Sequence, residues 1–261
     1  MGEFPAVSGI CLTYGRPELL EEAIYSFLQQ DYPGFKELVV LNDYDQQTLV
    51  FEHPEVQVFN VPRRFRTVGE KMNAAAALTS HDLLFVWDDD DIYLPHRLSF
   101  SVRQFDPGKG FFKPHDAWML DQGQLSGPFS NVFHVGSCWS RALFDRVGGY
   151  PPMGNGYDQV IEAWFADACP GSTTTFAIKP EDIYYIYRWG GTGSYHMSGL
   201  GRQEPGRNQE QQEVRTFVEQ RAEAGEIGQG RVPLVPQWRA DYLSMVRRLC
   251  GEPQQTVPVA P

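Results

Sequence analysis

The chain has 261 residues, of which 42% are hydrophobic and 21% charged, and a formal net charge of -11. That length suits one large α/β domain or two small ones, and the composition is that of neither a disordered nor a fibrous protein. The acidic balance argues against nucleic acid or an anionic membrane as partner, yet leaves room for an anionic substrate carried in with a divalent cation. No run approaches the ~20 apolar residues of a membrane helix. The opening "MGEFPAVSG" has neither the basic nor the apolar region of a secretory signal. Cys11, Cys138, Cys169 and Cys250 form no CxxC pair, so free or buried thiols in a cytoplasmic setting are expected, rather than zinc ligands or disulfides.

"VSGICLTY", bounded by Gly15 and Pro17, reads as a buried strand. Pro17 suits a first helical position, with Glu18, Glu21 and Glu22 in the opening turn, where they suit the helix dipole. Leu19, Leu20, Ala23, Ile24, Phe27 and Leu28 then recur at helical spacing as one apolar stripe. "KELVVLND" is a second strand ending at Asn42 and Asp43, and "VQVFNV" is a third. Thr67 and Glu70 fit a capping box opening a helix that runs to about Leu78. "DLLFVWDDDD" is the next strand, and it runs straight into Asp88, Asp89, Asp90 and Asp91.

Strands alternating with helices imply an α/β fold with a mostly parallel sheet covered on both faces. Ligands of such sheets bind at the carboxyl ends of the strands. Thr13 to Arg16, Asn42 to Asp43 and Asp88 to Asp91 all fall there.

In the second half, "GFFKPHDAWML" and "SNVFHVGSCW" read as strands flanking a Gly/Pro-rich connection. Helices are expected near 140–147 and 156–168, followed by an aromatic strand, "DIYYIYRW". A long polar loop spans Gly190 to Asn208. A polar helix near 208–224 and an amphipathic one near 237–249 precede the tail "GEPQQTVPVAP", whose composition suits disorder.

Four adjacent carboxylates repel one another, so a positive partner is required. Carboxylates at i and i+2 where a strand leaves its sheet can converge on a hard cation such as Mg²⁺ or Mn²⁺. The glycine and terminal glutamate of an EF-hand are missing, which excludes that calcium loop.

"ICLTYGRPELLEEAIYSFLQQDYP", "ELVVLND", "VGEKMNAAAAL" and "LLFVWDDDDIYLPHRL" occur in this order. Together they resemble the successive signatures of the inverting glycosyltransferases of family 2, with the GT-A fold. The likeness covers roughly residues 6 to 100, and more loosely continues to about 190. It implies a single GT-A domain over 1–250, with a nucleotide-sugar-binding half to about 100 and an acceptor and catalytic half beyond it.

By that resemblance Thr13, Tyr14 and Arg16 approach the base and ribose, and Asp43 hydrogen-bonds the base. The family's Asp-Asp-Gly-Ser turn is here replaced by "NDYDQQT", which leaves the base open, with UDP expected by family habit. Gly69, Lys71 and Asn73 match the helix start before the metal strand, Lys71 suiting a phosphate or ribose contact. Asp88 and Asp90 match the DxD motif that holds a divalent metal (Mn²⁺ or Mg²⁺), with Asp88 also near the ribose. Asp91 supports them, and Asp89, counted with the donor-binding residues, points away from the metal.

Asp158, in "GNGYDQVIEAWF", matches the catalytic base, although Tyr157 stands where the family has an acid. Glu162 is the reserve. Arg188 is expected at the diphosphate, Trp189 against an acceptor sugar, and His196 as a metal ligand from a late loop. The partners implied are a nucleotide-diphosphate sugar and a hydroxyl-bearing acceptor.

Four alternatives remain at this stage, the first of them a retaining rather than an inverting transferase on the same GT-A frame. A haloacid-dehalogenase-type phosphatase would place its Asp-x-Asp after the first strand rather than a later one. A nucleotidyltransferase would open with a Gly-rich loop that "TYGRPE" is not. A non-catalytic nucleotide-sugar-binding protein on the same frame fits the altered turn and Tyr157.

Overall fold

The computed structural model describes residues 4–130, 133–189 and 207–251. His196 and the tail from 252 onward lie outside the described residues.

β1 (Val7–Thr13) and β2 (Lys36–Asn42) are buried along almost their whole length, as strands covered on both faces must be. They pair in parallel from Val7 opposite Lys36 to Thr13 opposite Asn42. β4 (Val56–Asn60) and β5 (Leu83–Val86) add in parallel on either side. β10 (Cys138–Ser140) then pairs antiparallel with β5, and β7 (Phe111–Phe112) pairs antiparallel with β10. The result is a six-stranded sheet, ordered β4-β2-β1-β5-β10-β7, mostly parallel as expected.

The two faces divide by alternation. Val7, Cys11, Leu38, Val40 and Phe85 pack with Leu20, Ala23, Ile24 and Phe27 of α1 (Pro17–Leu28). Ile10, Leu41, Leu84 and Val86 pack on the other side with three helices. These are α2 (Val68–Leu78), α4 (Arg141–Val147) and α5 (Tyr157–Ala168). Pro17 opens α1, and the Thr67 hydroxyl accepts from the Glu70 amide at 3.1 Å to open α2.

A second sheet begins where the aspartates end. β6 (Ile92–Tyr93) pairs antiparallel with β11 (Tyr185–Trp189), and β11 pairs in parallel with β8 (Asp116–Asp121). The turn Asp88–Asp91 is thus tied at both ends, to the main sheet through β5 and to the second sheet through β6. α3 (Arg97–Gln104) follows β6.

Several elements depart from the sequence reading. The Gly/Pro-rich connection contains a strand, β9 (Gln124–Ser130), on the edge of the second sheet. Its residues are nearly all exposed, so it carries no apolar alternation to read. "SNVFHVGSCW" is a 3-10 turn at His134–Gly136 and then the short β10, rather than one strand. β3 (Gln47–Val50) pairs in parallel with β12 (Gly230–Pro233), a contact that no local pattern announces.

The polar helix is α6 (Arg207–Glu223). The last helix, α7 (Tyr242–Leu249), starts later than its apolar pattern suggests, because the Asp241 carboxylate caps it by accepting from the Ser244 amide. No helix among the described residues is long and apolar enough to cross a membrane.

The start of α2 fixes the segment leading into α5. The Gly69 amide donates to Met153 O at 3.1 Å, and a Cβ built on Gly69 would lie 1.9 Å from Pro151 O. Asn73 closes the same join by bonding both the amide and the carbonyl of Tyr150, at 2.8 and 2.9 Å. Gly69→Ala must therefore push backbone against backbone. It is expected to lower stability by about 1–3 kcal/mol, read as a lower denaturation midpoint at unchanged slope.

Candidate functional site

The site forms where β1, β2 and β5 end together. Trp87 continues the β5–β1 pairing through its amide on Ile10 O at 2.8 Å, and the chain then turns out of the sheet at Asp88. The Asp88 amide donates to the Tyr93 hydroxyl at 2.8 Å, which pins the turn to the strand that follows it.

The required positive partner is Arg16, from the β1–α1 turn. Its Nε and Nη2 grip the Asp89 carboxylate, and its Nη1 donates to Asp90 at 2.6 Å. A second cation lies behind the turn. Arg97 is fully buried, donates to Val86 O at 2.5 Å, and sits 4.1 and 4.6 Å from the Tyr93 and Trp87 ring centres. Asp91 is held by the Arg188 amide at 2.8 Å and the Tyr185 hydroxyl at 2.8 Å.

One oxygen from each of Asp88, Asp90 and Asp91 can lie within 4.8 Å of the others. Asp89, gripped by Arg16, is outside this set. Burial, then the neighbouring Asp90 and Asp89, push the Asp88 carboxyl up to about 8. Burial and Asp90 likewise raise Asp91 well above its ordinary value. A hard cation taking three oxygen ligands fits this donor set, since it would offset the repulsion responsible for those shifts.

The N-terminal turn of α5 faces the same carboxylates. Asp158 stands in its first turn and adds to the upward push on Asp88. The Tyr157 phenol is held protonated by burial, then by Asp88, Asp158 and Asp90, so a neutral donor occupies the place where an acid was expected. Glu162 is turned to other partners: Lys113 Nζ at 2.6 and 2.8 Å and His134 Nδ1 at 2.8 Å. Despite burial, those two neighbours bring its carboxyl below the usual range. His134 Nε2 meets the Tyr150 hydroxyl at 2.7 Å, completing a bracket beneath α5.

On the β1–β2 side, Lys71 is buried and donates to Asp43 Oδ1 at 2.5 Å and Thr13 O at 2.7 Å. Asp43 Oδ2 accepts from the Phe65 amide at 2.9 Å. Asn42 folds the unusual turn after β2, accepting from the Tyr44 amide at 3.1 Å and donating to Gln47 O at 3.1 Å. Tyr14 packs edge-on to Tyr44, with the Arg64 guanidinium 4.0 Å from its ring centre. Val214 and Val218 of α6 complete that cluster. Gly15, at φ +66°, sits directly under Val218.

The structure thus brings Thr13, Tyr14, Arg16, Asp43, Lys71, Asp88–Asp91 and Asp158 to one end of the sheet. Arg188 reaches this place by its backbone. Its guanidinium is buried against Glu22 at 2.7 Å and the Tyr242 hydroxyl at 3.3 Å. Trp189 lies beside Tyr187, the ring centres 6.1 Å apart. Arg97, His134 and Tyr185 were not singled out from the sequence. Arg97 donates to Val86 O and Val135 O, His134 meets α5 through Glu162, and Tyr185 arrives on β11 of the second sheet, contacts between residues far apart in sequence.

This arrangement of two sheets around a carboxylate turn at the end of a parallel β-α-β unit is the GT-A frame. Residues 8–112 match the family model described as Glycosyl transferase family 2. Compared by sequence with curated proteins, the chain finds no match.

Among solved structures it is similar to S. aureus TarS 1-349 in complex with UDP-GlcNAc. That similarity has a TM-score of 0.55 and 16% identity, and covers 82% of this chain and 65% of that one. Another TarS crystal structure gives a TM-score of 0.51 at 15% identity, over 70% of this chain and 37% of that one. The chain therefore spans between about a third and two thirds of the length of these structures.

Asp88 is protonated in the fold at pH values where it is ionised in the unfolded chain. The native state then holds the extra proton, so stability falls as pH rises from about 4 toward 8. The slope from this one group reaches at most about 1.4 kcal/mol per pH unit. In metal-free buffer Asp88→Asn is expected to flatten this fall, measured as denaturation midpoints across that range.

Proposed function

We propose that the protein transfers a sugar from a nucleoside-diphosphate donor to an acceptor hydroxyl, with inversion at the anomeric carbon, using a divalent cation, Mg²⁺ or Mn²⁺. The observation that carries this reading is the Asp88, Asp90 and Asp91 oxygen set at the carboxyl end of β5, facing the N-terminal turn of α5 and Asp158. The family match over 8–112 supports the reaction class.

Asp88 and Asp90 would hold the cation, with Asp91 supporting them. When bound, the cation supplies neutralisation for the departing nucleoside diphosphate. Thr13, Tyr14, Asp43 and Lys71 would shape the nucleoside end. The buried Lys71–Asp43 pair would give that wall its form, because its charges are already used on each other and on Thr13 O.

Asp158 would take the acceptor hydroxyl's proton as that oxygen attacks the anomeric carbon. The bond from that carbon to the diphosphate oxygen breaks on the opposite face, with its electron pair leaving on the diphosphate. Glu162 serves the reaction as scaffold in this reading, since Lys113 and His134 occupy both its oxygens. Trp189, next to Arg188 whose amide bonds Asp91, would offer an apolar face to an acceptor sugar. A UDP-sugar is the first donor to try, because the TarS structure with the highest similarity above contains UDP-GlcNAc.

Asp158→Asn should cut kcat by about 10²–10⁴ while leaving donor binding nearly unchanged. Asp90→Ala should abolish the thermal shift produced by nucleotide with Mn²⁺. In the unaltered protein, ligand at 100 times its Kd should add about 2.7 kcal/mol. Full transfer activity in both variants, measured by release of nucleoside diphosphate, would refute the mechanism.

A further inference from the structure

Arg16 makes two different kinds of contact with one guanidinium. Its Nε and Nη2 both engage Asp89, a buried carboxylate outside the set able to hold a cation. Its Nη1 engages Asp90, which belongs to that set. The planar fork allows this division, whereas a lysine could satisfy only one point at a time.

The Asp89 grip anchors the side chain at the β1–α1 turn, so the Nη1 arm stays beside Asp90. A cation that draws on Asp90 must compete with that arm. The guanidinium would then lack part of its anionic partner in a largely buried place, which is costly unless another anion replaces it. A metal arriving alone brings none, whereas a metal arriving with a diphosphate does.

We propose that Arg16 is a counter-ion latch: anchored on Asp89, it neutralises Asp90 in the donor-free protein and yields Asp90 to the metal when a diphosphate takes its place as guanidinium partner. The inference rests on the metal-diphosphate reading above and adds a consequence for binding order. Bare metal binds weakly, and metal and nucleotide strengthen each other. Arg16 acts here as a positioning residue, coupling two ligands through a bond that one of them must break.

The test uses the full chain with Arg16→Gln and Arg16→Lys, each checked for folding by far-UV circular dichroism. Mn²⁺ alone is titrated by the paramagnetic signal of the free ion. UDP and GDP are titrated separately by calorimetry, with and without saturating Mn²⁺. In Arg16→Gln the metal alone should bind about tenfold tighter, and the factor by which metal strengthens nucleotide binding should fall about tenfold. Opposite shifts of this kind are not produced by simple loss of structure, which weakens both.

Arg16→Lys should keep metal affinity nearer the unaltered protein, yet lose the same coupling. It carries the test if Arg16→Gln does not fold. Should the unaltered protein bind metal and nucleotide while the variants show equal changes in both, or none, the latch is wrong and the donor reading stands. If the unaltered protein binds neither UDP nor GDP with Mn²⁺, both fall together.

Discussion

Four consecutive carboxylates at the end of a buried strand are the constraint around which this protein is arranged. Removal from water, followed by the charge of Asp90, pushes the Asp88, Asp89 and Asp91 carboxyls toward protonation. The fold answers with groups drawn from distant parts of the chain. Arg16 comes from the turn after β1, Arg188 and Tyr185 from β11, and Tyr93 from the strand just beyond. Arg97 adds a positive charge beneath, seated among aromatic rings and backbone carbonyls rather than against a carboxylate. The turn therefore stays compact while remaining short of positive charge at Asp88 and Asp91, since the described guanidinium contacts go to Asp89 and Asp90.

That arrangement also explains the position of the second sheet. β6 begins one residue after Asp91, and its pairing with β11 brings the Arg188 amide and the Tyr185 hydroxyl onto Asp91. β11 is fixed in turn by the Arg188 side chain on buried Glu22 of α1. The same Glu22 accepts from the Tyr242 hydroxyl and the Arg239 amide near the C-terminal helix. Glu22 is thus the junction between three segments. On the other side of the main sheet, Gly69 and Asn73 fix the approach to α5, while Glu162, His134 and Tyr150 brace it from below. Asp158, whose charge acts on Asp88, stands in the first turn of the helix so braced.

The main sheet was legible because its strands are apolar runs and its helices carry stripes at the right spacing, so local pattern and burial coincide. Thr67 and Pro17 mark their helices for equally local reasons. β9 was hidden because it is exposed, and β3 and β12 because each is short and its pairing partner is remote in sequence. The candidate site divides in a similar way. The DxD pattern and its strand-end place could be read directly. The ties of Lys71 to Asp43, Arg188 to Glu22 and Glu162 to Lys113 could not, since a charged side chain in a sequence does not reveal its partner.

The sequence by itself determined a parallel α/β core, the convergence of three strand ends, and a carboxylate cluster suited to a hard cation. Periodicity and short-range spacing are sufficient for those. Only the tertiary structure decided which charges answer the cluster. It placed Arg16 across Asp89 and Asp90, directed the Arg188 guanidinium toward Glu22, and left Asp158 rather than Glu162 facing the turn. The reason is that burial makes each ionised group find a partner, and residues separated by tens or hundreds of positions become neighbours only when the sheets are assembled.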